Sequence, residues 1–365
     1  MIRGVEDFFW FGSTIEKNLN DNKDLSYNLN ASPLVRGQKV SLNDAIKKIK
    51  KVFNKKDLTH FDGLCCDQKS LKAIFNLAEK NRSSINHAES FEISNFYSAF
   101  QKYGGSLISY NEIKKRSDLI IFLGNFDEIP VERFLRKINW SKSKVNKKIL
   151  AVGKKKILTV ENFFKVVDTS SLLELVLNCF KNVSIPKKYL KLQKSIISSK
   201  FPVIVINPKN GMIFTEHLLR LFAFINNNVK KVRIFRFSGS NNSSGFVNTC
   251  VTKTGFPNAV SFNDWGVTYN PYDYNATVQK KIKKTQLFFS NLNQNIKIEK
   301  FTQNIFIGHP NFKNKENFDI YVPVKTPGID GEGIVVRSDG AGVLKLSKKI
   351  NSNYIEIHQL INQLM

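Results

Sequence analysis

DLIIFLGN, residues 118–125, is the stretch on which the fold turns. Its apolar residues run without a polar break and stop at Gly124-Asn125. A strand with one wet face alternates apolar and polar side chains, so an unbroken run this short points to a strand covered on both faces. KILAVG (148–153) has the same character, and VERFLRKI (131–138) between them carries helical spacing. Short apolar runs alternating with amphipathic helices make an α/β protein with a parallel sheet.

The pattern extends in both directions. SLNDAIKKIKKVFN (41–54) opens with a Ser41/Asp44 capping pattern and sets Leu42, Ile46, Ile49 and Phe53 on one helical face. Leu71, Ile74, Phe75 and Ala78 repeat that spacing, as do Ile93, Phe96, Tyr97 and Phe100 before Gly104, a C-cap glycine. Beyond a lysine-rich linker at about 187–200, FPVIVINP (201–208), IFTEHLLRLFAFIN (213–226) and KVRIFRFSG (231–239) read as β-α-β, and QLFFS, NIFIG and FDIYVPV continue the series. GIVVRSDGAGVLKL (333–346) sets two strands around Asp339-Gly340, a hairpin signal. The expected order is an N-terminal arm or cap over 1–36, a Rossmann-like doubly wound lobe over 37–190, and a second such lobe over 198–365 ending in the hairpin and a helix. A ligand crevice is expected at the carboxyl ends of the strands.

Composition narrows the class. The chain has 365 residues, 42% of them hydrophobic, enough for full cores. No run reaches the roughly 18 apolar residues of a membrane span, so a cytoplasmic protein is expected. Four cysteines, two of them adjacent at 65 and 66, form neither a disulfide framework nor a CxxC pair. A formal charge of +26 suits a polyanionic ligand, while the excess of 46 lysines over 10 arginines equally fits AT-rich coding. Arginine forks and exposed-aromatic motifs of nucleic-acid binders are not seen, so nucleic acid is not the expected partner. The lysine runs at 47–51, 154–156 and 280–284 read as solvated helix faces and strand ends, and 30 phenylalanines leave aromatic surface for an obligate interface.

Two loops carry candidate chemistry. INHAES (85–90) lies between helical stretches and offers His87, Ala88 and Glu89 as an active site, the remnant of one, or an ordinary loop. FSGSNNSSGF (237–246) follows a strand and could present backbone N–H groups to an anion or simply turn the chain. His217 and His309 read as structural, and no HExxH, Walker A, Gly-x-Ser-x-Gly or Ser/His/Asp order is present.

In order along the chain, SPLVRGQKVSLNDAI (32–46), NEIKKRSDLIIFLGN (111–125), GSNNSSGFVNTCVTKTGFPNAVSF (239–262) and TPGIDGEGIVVRSDGAGVLKL (326–346) resemble the B subunit of formylmethanofuran dehydrogenase. The resemblance is closer to the B subunit of the bacterial formyltransferase/hydrolase complex, within the molybdopterin oxidoreductase superfamily. It implies Rossmann-like lobes in a subunit that works with an amidohydrolase-like A subunit, a C subunit and a formyltransferase-like D subunit. Together they transfer a formyl group from tetrahydromethanopterin to a methanofuran-like carrier and release formate, in the oxidation of formaldehyde. Catalytic relatives hold a [4Fe-4S] cluster on an N-terminal cysteine cluster, and tungsten or molybdenum pterin on a cysteine. Residues 1–64 here lack cysteine, and the metal-binding stretch falls on INHAES, which has no thiol.

The resemblance thus implies that His87, Ala88 and Glu89 are a vestigial site, that this chain binds no metal, and that it serves as scaffold. The carrier's polyglutamate tail would be its polyanion. Asn241, Asn242, Gly245, Lys253 and Arg337 are the candidate carrier contacts, with Arg337 either forking a carboxylate or pinning the hairpin. Two other functions stay open: an active tungsten or molybdenum oxidoreductase using Cys65 or Cys66, and a general polyanion or RNA binder.

Overall fold

The computed structural model describes residues 27–53, 59–138 and 147–365. Of the arm expected over 1–36, residues 1–26 lie outside the described residues. The chain forms two compact units, one from the segment up to Ser90 joined by Gly239–Met365, the other from Phe91–Ser238.

In the first unit, β1 (Leu34–Val35) and β2 (Gln38–Lys39) precede helix α1 (Leu42–Phe53), strand β3 (Thr59–Cys65), α2 (Gln68–Lys80) and β4 (Ser84–Ile85). Ser41 caps α1 as its spacing predicts, its hydroxyl accepting the Asp44 N–H at 3.1 Å. Asp67 caps α2 by accepting from the N–H groups of Lys69 and Ser70.

The second unit begins with α3 (Ser90–Tyr103) and α4 (Tyr110–Arg116), followed by β5 (Leu119–Leu123), the strand read from DLIIFLGN. Next come α5 (Glu128–Lys137), β6 (Lys148–Gly153), β7 (Asn162–Lys165), α6 (Thr169–Lys181) and α7 (Leu190–Ser198). The unit closes with β8 (Pro202–Ile206), α8 (Met212–Asn228) and β9 (Arg233–Arg236). Its sheet runs β7-β6-β5-β8-β9, all parallel. Every residue of β5 is buried, as a central strand covered on both faces must be. One core joins Leu119, Ile121 and Leu123 to Phe96, Leu218 and Phe222. Each such side chain contributes about 1.5–3 kcal/mol by leaving water.

The chain then returns to the first unit through α9 (Ser243–Thr254), β10 (Val260–Asn263), β11 (Gly266–Tyr269), α10 (Ala276–Ile282), β12 (Thr285–Ser290), β13 (Gln303–Gly308) and β14 (Ile320–Pro323). β15 (Gly333–Val336) and β16 (Val343–Leu346) pair antiparallel, and α11 (Ile357–Leu364) ends the chain. The nine-stranded sheet has the order β11-β10-β4-β3-β12-β13-β14-β1-β2. Its middle, β4 to β14, is parallel; β10 and β1 join it antiparallel.

Three expectations are corrected. The compact units are not serial: β8, expected to open a second lobe, pairs with β5 from Leu119↔Pro202 to Leu123↔Ile206, and β3 pairs with β12 across the whole insertion. The boundary at 190–198 therefore falls inside the second unit, because strand pairing follows sheet edges and not chain order. The lysine-rich stretch at 187–200 is no linker, for α7 buries Leu192 and Ile196 one turn apart and turns its lysines outward. Phenylalanine is mostly core; among the described residues, the exposed large hydrophobics include only Phe91 and Phe224 of that type. No helix of the described residues is long and apolar enough to cross a membrane.

Candidate functional site

Within the first unit, the carboxyl ends of β4, β3 and β12 gather INHAES and the part of the second loop from Gly239 onward. INHAES leaves β4 and enters α3, while the Asn241-Asn242 pair precedes α9. Both asparagines are left-handed, with φ of 54° and 58°, a conformation asparagine tolerates better than other side chains. β3 carries a bulge where Gly63 and Leu64, both at positive φ, stand opposite Phe289. Gly63 must be glycine, since a Cβ there would lie 2.6 Å from the Phe288 ring and 2.7 Å from the Phe289 carbonyl.

His87 is buried in this cluster, against the Phe246 ring at 4.9 Å. Its Nδ1 accepts the Glu89 N–H at 3.0 Å, which leaves the proton on Nε2, 3.3 Å from the Asn241 carbonyl. Burial pushes its pKa down to about 3, so the ring is neutral. The Asn241 side chain donates to Glu89 Oε1 at 3.3 Å and accepts from Asn293 Nδ2 at 3.0 Å. The Ala88 N–H is bonded to the Gly63 carbonyl at 2.9 Å.

Asn242 is fully buried and bridges two elements. Its Nδ2 donates to the Cys66 carbonyl at 2.7 Å, and its Oδ1 accepts the Val336 N–H at 2.9 Å. The hairpin is also held by Ser244, whose hydroxyl donates to the Ser338 carbonyl at 3.0 Å. Gly245 admits no side chain, because a Cβ would lie 2.0 Å from Gln68 Nε2 and 2.3 Å from Asn242 Oδ1. Arg337 closes a bidentate pair on Asp339 of its own turn, both bonds 2.7 Å, and Lys253 pairs with Glu79 at 2.7 Å. The structure therefore brings His87, Glu89, Asn241 and Asn242 together and ties the hairpin strand to Asn242. It commits Asn242, Arg337 and Lys253 to bonds within the chain.

The thiols nearby fit a soft metal poorly. Cys65 and Cys66 are buried, and burial raises both pKa values well above the ordinary thiol range, which keeps them protonated. Tungsten or molybdenum on a pterin takes a thiolate, and neither these thiols nor His87, with both nitrogens engaged, supplies such a donor. Among the described residues no group of three His, Cys, Asp or Glu side chains is placed to hold a metal ion.

His309 is buried, with its Nδ1 accepting the Asn311 N–H at 3.0 Å, whereas His217 is exposed on α8. At the amino end of the same sheet lies a cluster that sequence reasoning missed. Lys283, in a run read as solvated, is buried and donates to the Thr59 carbonyl at 3.1 Å and to Ser84 Oγ at 2.8 Å. Burial lowers its pKa to about 8. Ser84 Oγ also lies 2.8 Å from His60 Nδ1, and His60 stacks on Phe301. Nothing in KKIKK marks Lys283 apart from its neighbours; its burial shows only in its bonds to Thr59 and Ser84, which are remote in sequence. Asn293, the other residue missed, follows β12 in an Asn-rich loop that carried no motif.

No protein-family model and no curated relative matches the sequence. Solved structures do. The formyltransferase/hydrolase complex from Methylorubrum extorquens, determined with methylofuran, contains a chain similar to this one at a TM-score of 0.79 and 15% identity, covering 91% of this chain and 97% of that one. The likeness is one of fold. Acetylene hydratase from Pelobacter acetylenicus is similar at a TM-score of 0.58 and 11% identity over 96% of this chain, which spans 62% of the hydratase.

Proposed function

We propose that this chain is the B-type subunit of a formyltransferase/hydrolase assembly, a non-catalytic cytoplasmic scaffold that also helps to hold a polyanionic formyl carrier. The observation that carries the reading is the end-to-end match of fold with a chain of such a complex. The ordered motifs at 32–46, 111–125, 239–262 and 326–346 support it independently. The two units are then Rossmann-like lobes of that subunit, with β15 and β16 as its C-terminal hairpin. An amidohydrolase-like A subunit, a C subunit and a formyltransferase-like D subunit would be its partners.

The chemistry at the ends of β3 and β4 favours a role without turnover. His87 uses both ring nitrogens inside the fold, and its low pKa leaves it a weak base at neutral pH. Cys65 and Cys66 are poor replacements for a metal-binding thiolate, which weighs against the oxidoreductase reading. The loops around Asn241, Gly245 and Arg337 are the proposed carrier-facing surface; Asn242 and Lys253 contribute there by fixing the backbone, given their internal bonds. The test is native purification from cells with metal analysis. Stoichiometric recovery of amidohydrolase-like and formyltransferase-like chains is expected, and recovery of this chain with bound tungsten, molybdenum or pterin refutes the proposal.

A further inference from the structure

β7, β6, β5 and β8 lie side by side and parallel, so their carboxyl ends share one rim of the second unit. The segment that follows each strand presents one aliphatic side chain to solvent: Val167 at 82% exposure, Leu158 at 76%, Ile129 at 62% and Ile213 at 72%. Neighbouring strands lie about 4.8 Å apart, so the four segments leave the sheet within about 15 Å. Single exposed apolar residues are ordinary on a surface, but one on each of four adjacent segments forms a row. Hydrogen bonds between the segments hold that row in place. The Val166 N–H donates to the Gly153 carbonyl at 3.0 Å, and the Glu128 carboxylate accepts the N–H groups of Leu158 at 2.8 Å and Thr159 at 2.6 Å. Asn125 accepts the Lys155 N–H at 3.3 Å on its side chain and donates its own N–H to Asn210 Oδ1 at 3.0 Å. In the segment that carries Leu158, Lys154, Lys155 and Lys156 are exposed and form no ion pair among the described residues.

We propose that this rim docks another protein chain of the native assembly, one whose facing surface has an apolar centre and carboxylates at its margin. Protein interfaces surround a desolvated apolar patch with polar contacts, and a row of aliphatic side chains flanked by three lysines has that layout. Carboxylates opposite Lys154, Lys155 and Lys156 complete the charge complementarity. Bonds that fix the four segments beforehand reduce the ordering cost of association. A bilayer fits worse. Asp127 and Asp168, exposed within the same segments, repel anionic headgroups, and the segments carry none of the Trp or Tyr anchors of membrane interfaces. The inference rests on the assembly proposed above only in needing a partner chain, and holds whatever chemistry that partner performs.

The native assembly is treated with a carbodiimide, which condenses an ammonium group with a carboxylate in contact, and its peptides are mapped. Lys154, Lys155 or Lys156 should be joined to an Asp or Glu of a different chain. Hydroxyl-radical footprinting of the same sample should label Ile129, Leu158, Val167 and Ile213 at least fivefold less than their exposure in this chain predicts. Leu158→Glu/Ile213→Glu, coexpressed with the natural partners, should cut the cross-linked product at least tenfold. Leu158→Ser/Ile213→Ser should give a smaller loss and covers the case in which the glutamates disturb folding. Ile282→Glu in the first unit, at a side chain 63% exposed, should leave the product as it was. Four results overturn the proposal: purification of this chain alone, full labelling of the four side chains in the assembly, cross-links confined to this chain and its copies, or binding of the assembly to phosphatidylglycerol vesicles that Leu158→Glu/Ile213→Glu abolishes. A cross-linked partner unlike any subunit of a formyltransferase/hydrolase assembly supports the rim while counting against the subunit assignment.

Discussion

Asn242→Ala tests whether the Asn241-Asn242 pair is a structural joint or a set of free donors. The substitution strips the Cys66 carbonyl and the Val336 N–H of their bonds at a fully buried position. Each stranded group costs about 1–3 kcal/mol. Alanine at φ 58° adds about 1 kcal/mol that asparagine largely avoids. The sum, about 3–7 kcal/mol, is a large share of the roughly 5–15 kcal/mol that holds a domain folded. Asn242→Gly removes the same bonds without the backbone term and should be about 1 kcal/mol milder. Because the two units need not unfold together, native-state amide exchange read on peptides containing Cys66 and Val336 is the suitable assay. At about 1.4 kcal/mol per factor of ten, exchange there should quicken at least a hundredfold in the alanine variant and less in the glycine variant, with β5 and β8 unchanged. Rates within threefold of the parent would refute the joint, and a glycine variant worse than alanine would refute the backbone part.

Arg337→Ala leaves Asp339, whose side chain is fully shielded, without its bidentate partner, and should cost about 3 kcal/mol. Arg337→Ala/Asp339→Ala should recover most of that in urea melts; equal loss in single and double variants refutes the pairing. Gly245→Ala drives a methyl group into Gln68 and Asn242 and should cost about 1–3 kcal/mol, read as a lower melting temperature. Burial holds His60, His87 and His309 at pKa values of about 3. The unfolded chain takes up those protons first, near pH 6.5, so the stability they contribute is complete above that pH and is lost as pH falls toward 3, at about 1.4 kcal/mol per histidine per unit. Asp62, raised to about 6 by burial, acts oppositely and offsets roughly one histidine between pH 6 and 4. Urea midpoints should therefore drop between pH 6.5 and 5; a flat profile contradicts the reading.

Much of the secondary structure was legible because it rests on local periodicity. DLIIFLGN, KILAVG and FPVIVINP are strands, and Leu71, Ile74, Phe75 and Ala78 share a buried helical face. Which strands share a sheet was not legible. β5 and β8 pair across about 80 residues, and no property of either run distinguishes that partner from another. The convergence of INHAES with the Asn241 loop followed from the tendency of parallel sheets to gather loops at their carboxyl ends. The use of those side chains did not: that Asn242 bonds Cys66 and Val336, or that Lys283 turns inward, depends on neighbours remote in sequence.

Insertion of one unit inside the other sets an order on synthesis. Thr59 of β3 meets Thr285 of β12 about 226 residues later, so at roughly 5–20 residues per second the ribosome delivers the partner strand some 11–45 s after the first. Phe91–Ser238 has all its strands in hand earlier and can close its sheet while β3, buried in the finished protein along its whole length, has only the short β4 beside it and still waits for β12. Nascent chains arrested before residue 285 should protect β5 and β8 from exchange while β3 stays labile and draws chaperones. The last strands made, not the first, decide when the first unit becomes a protein.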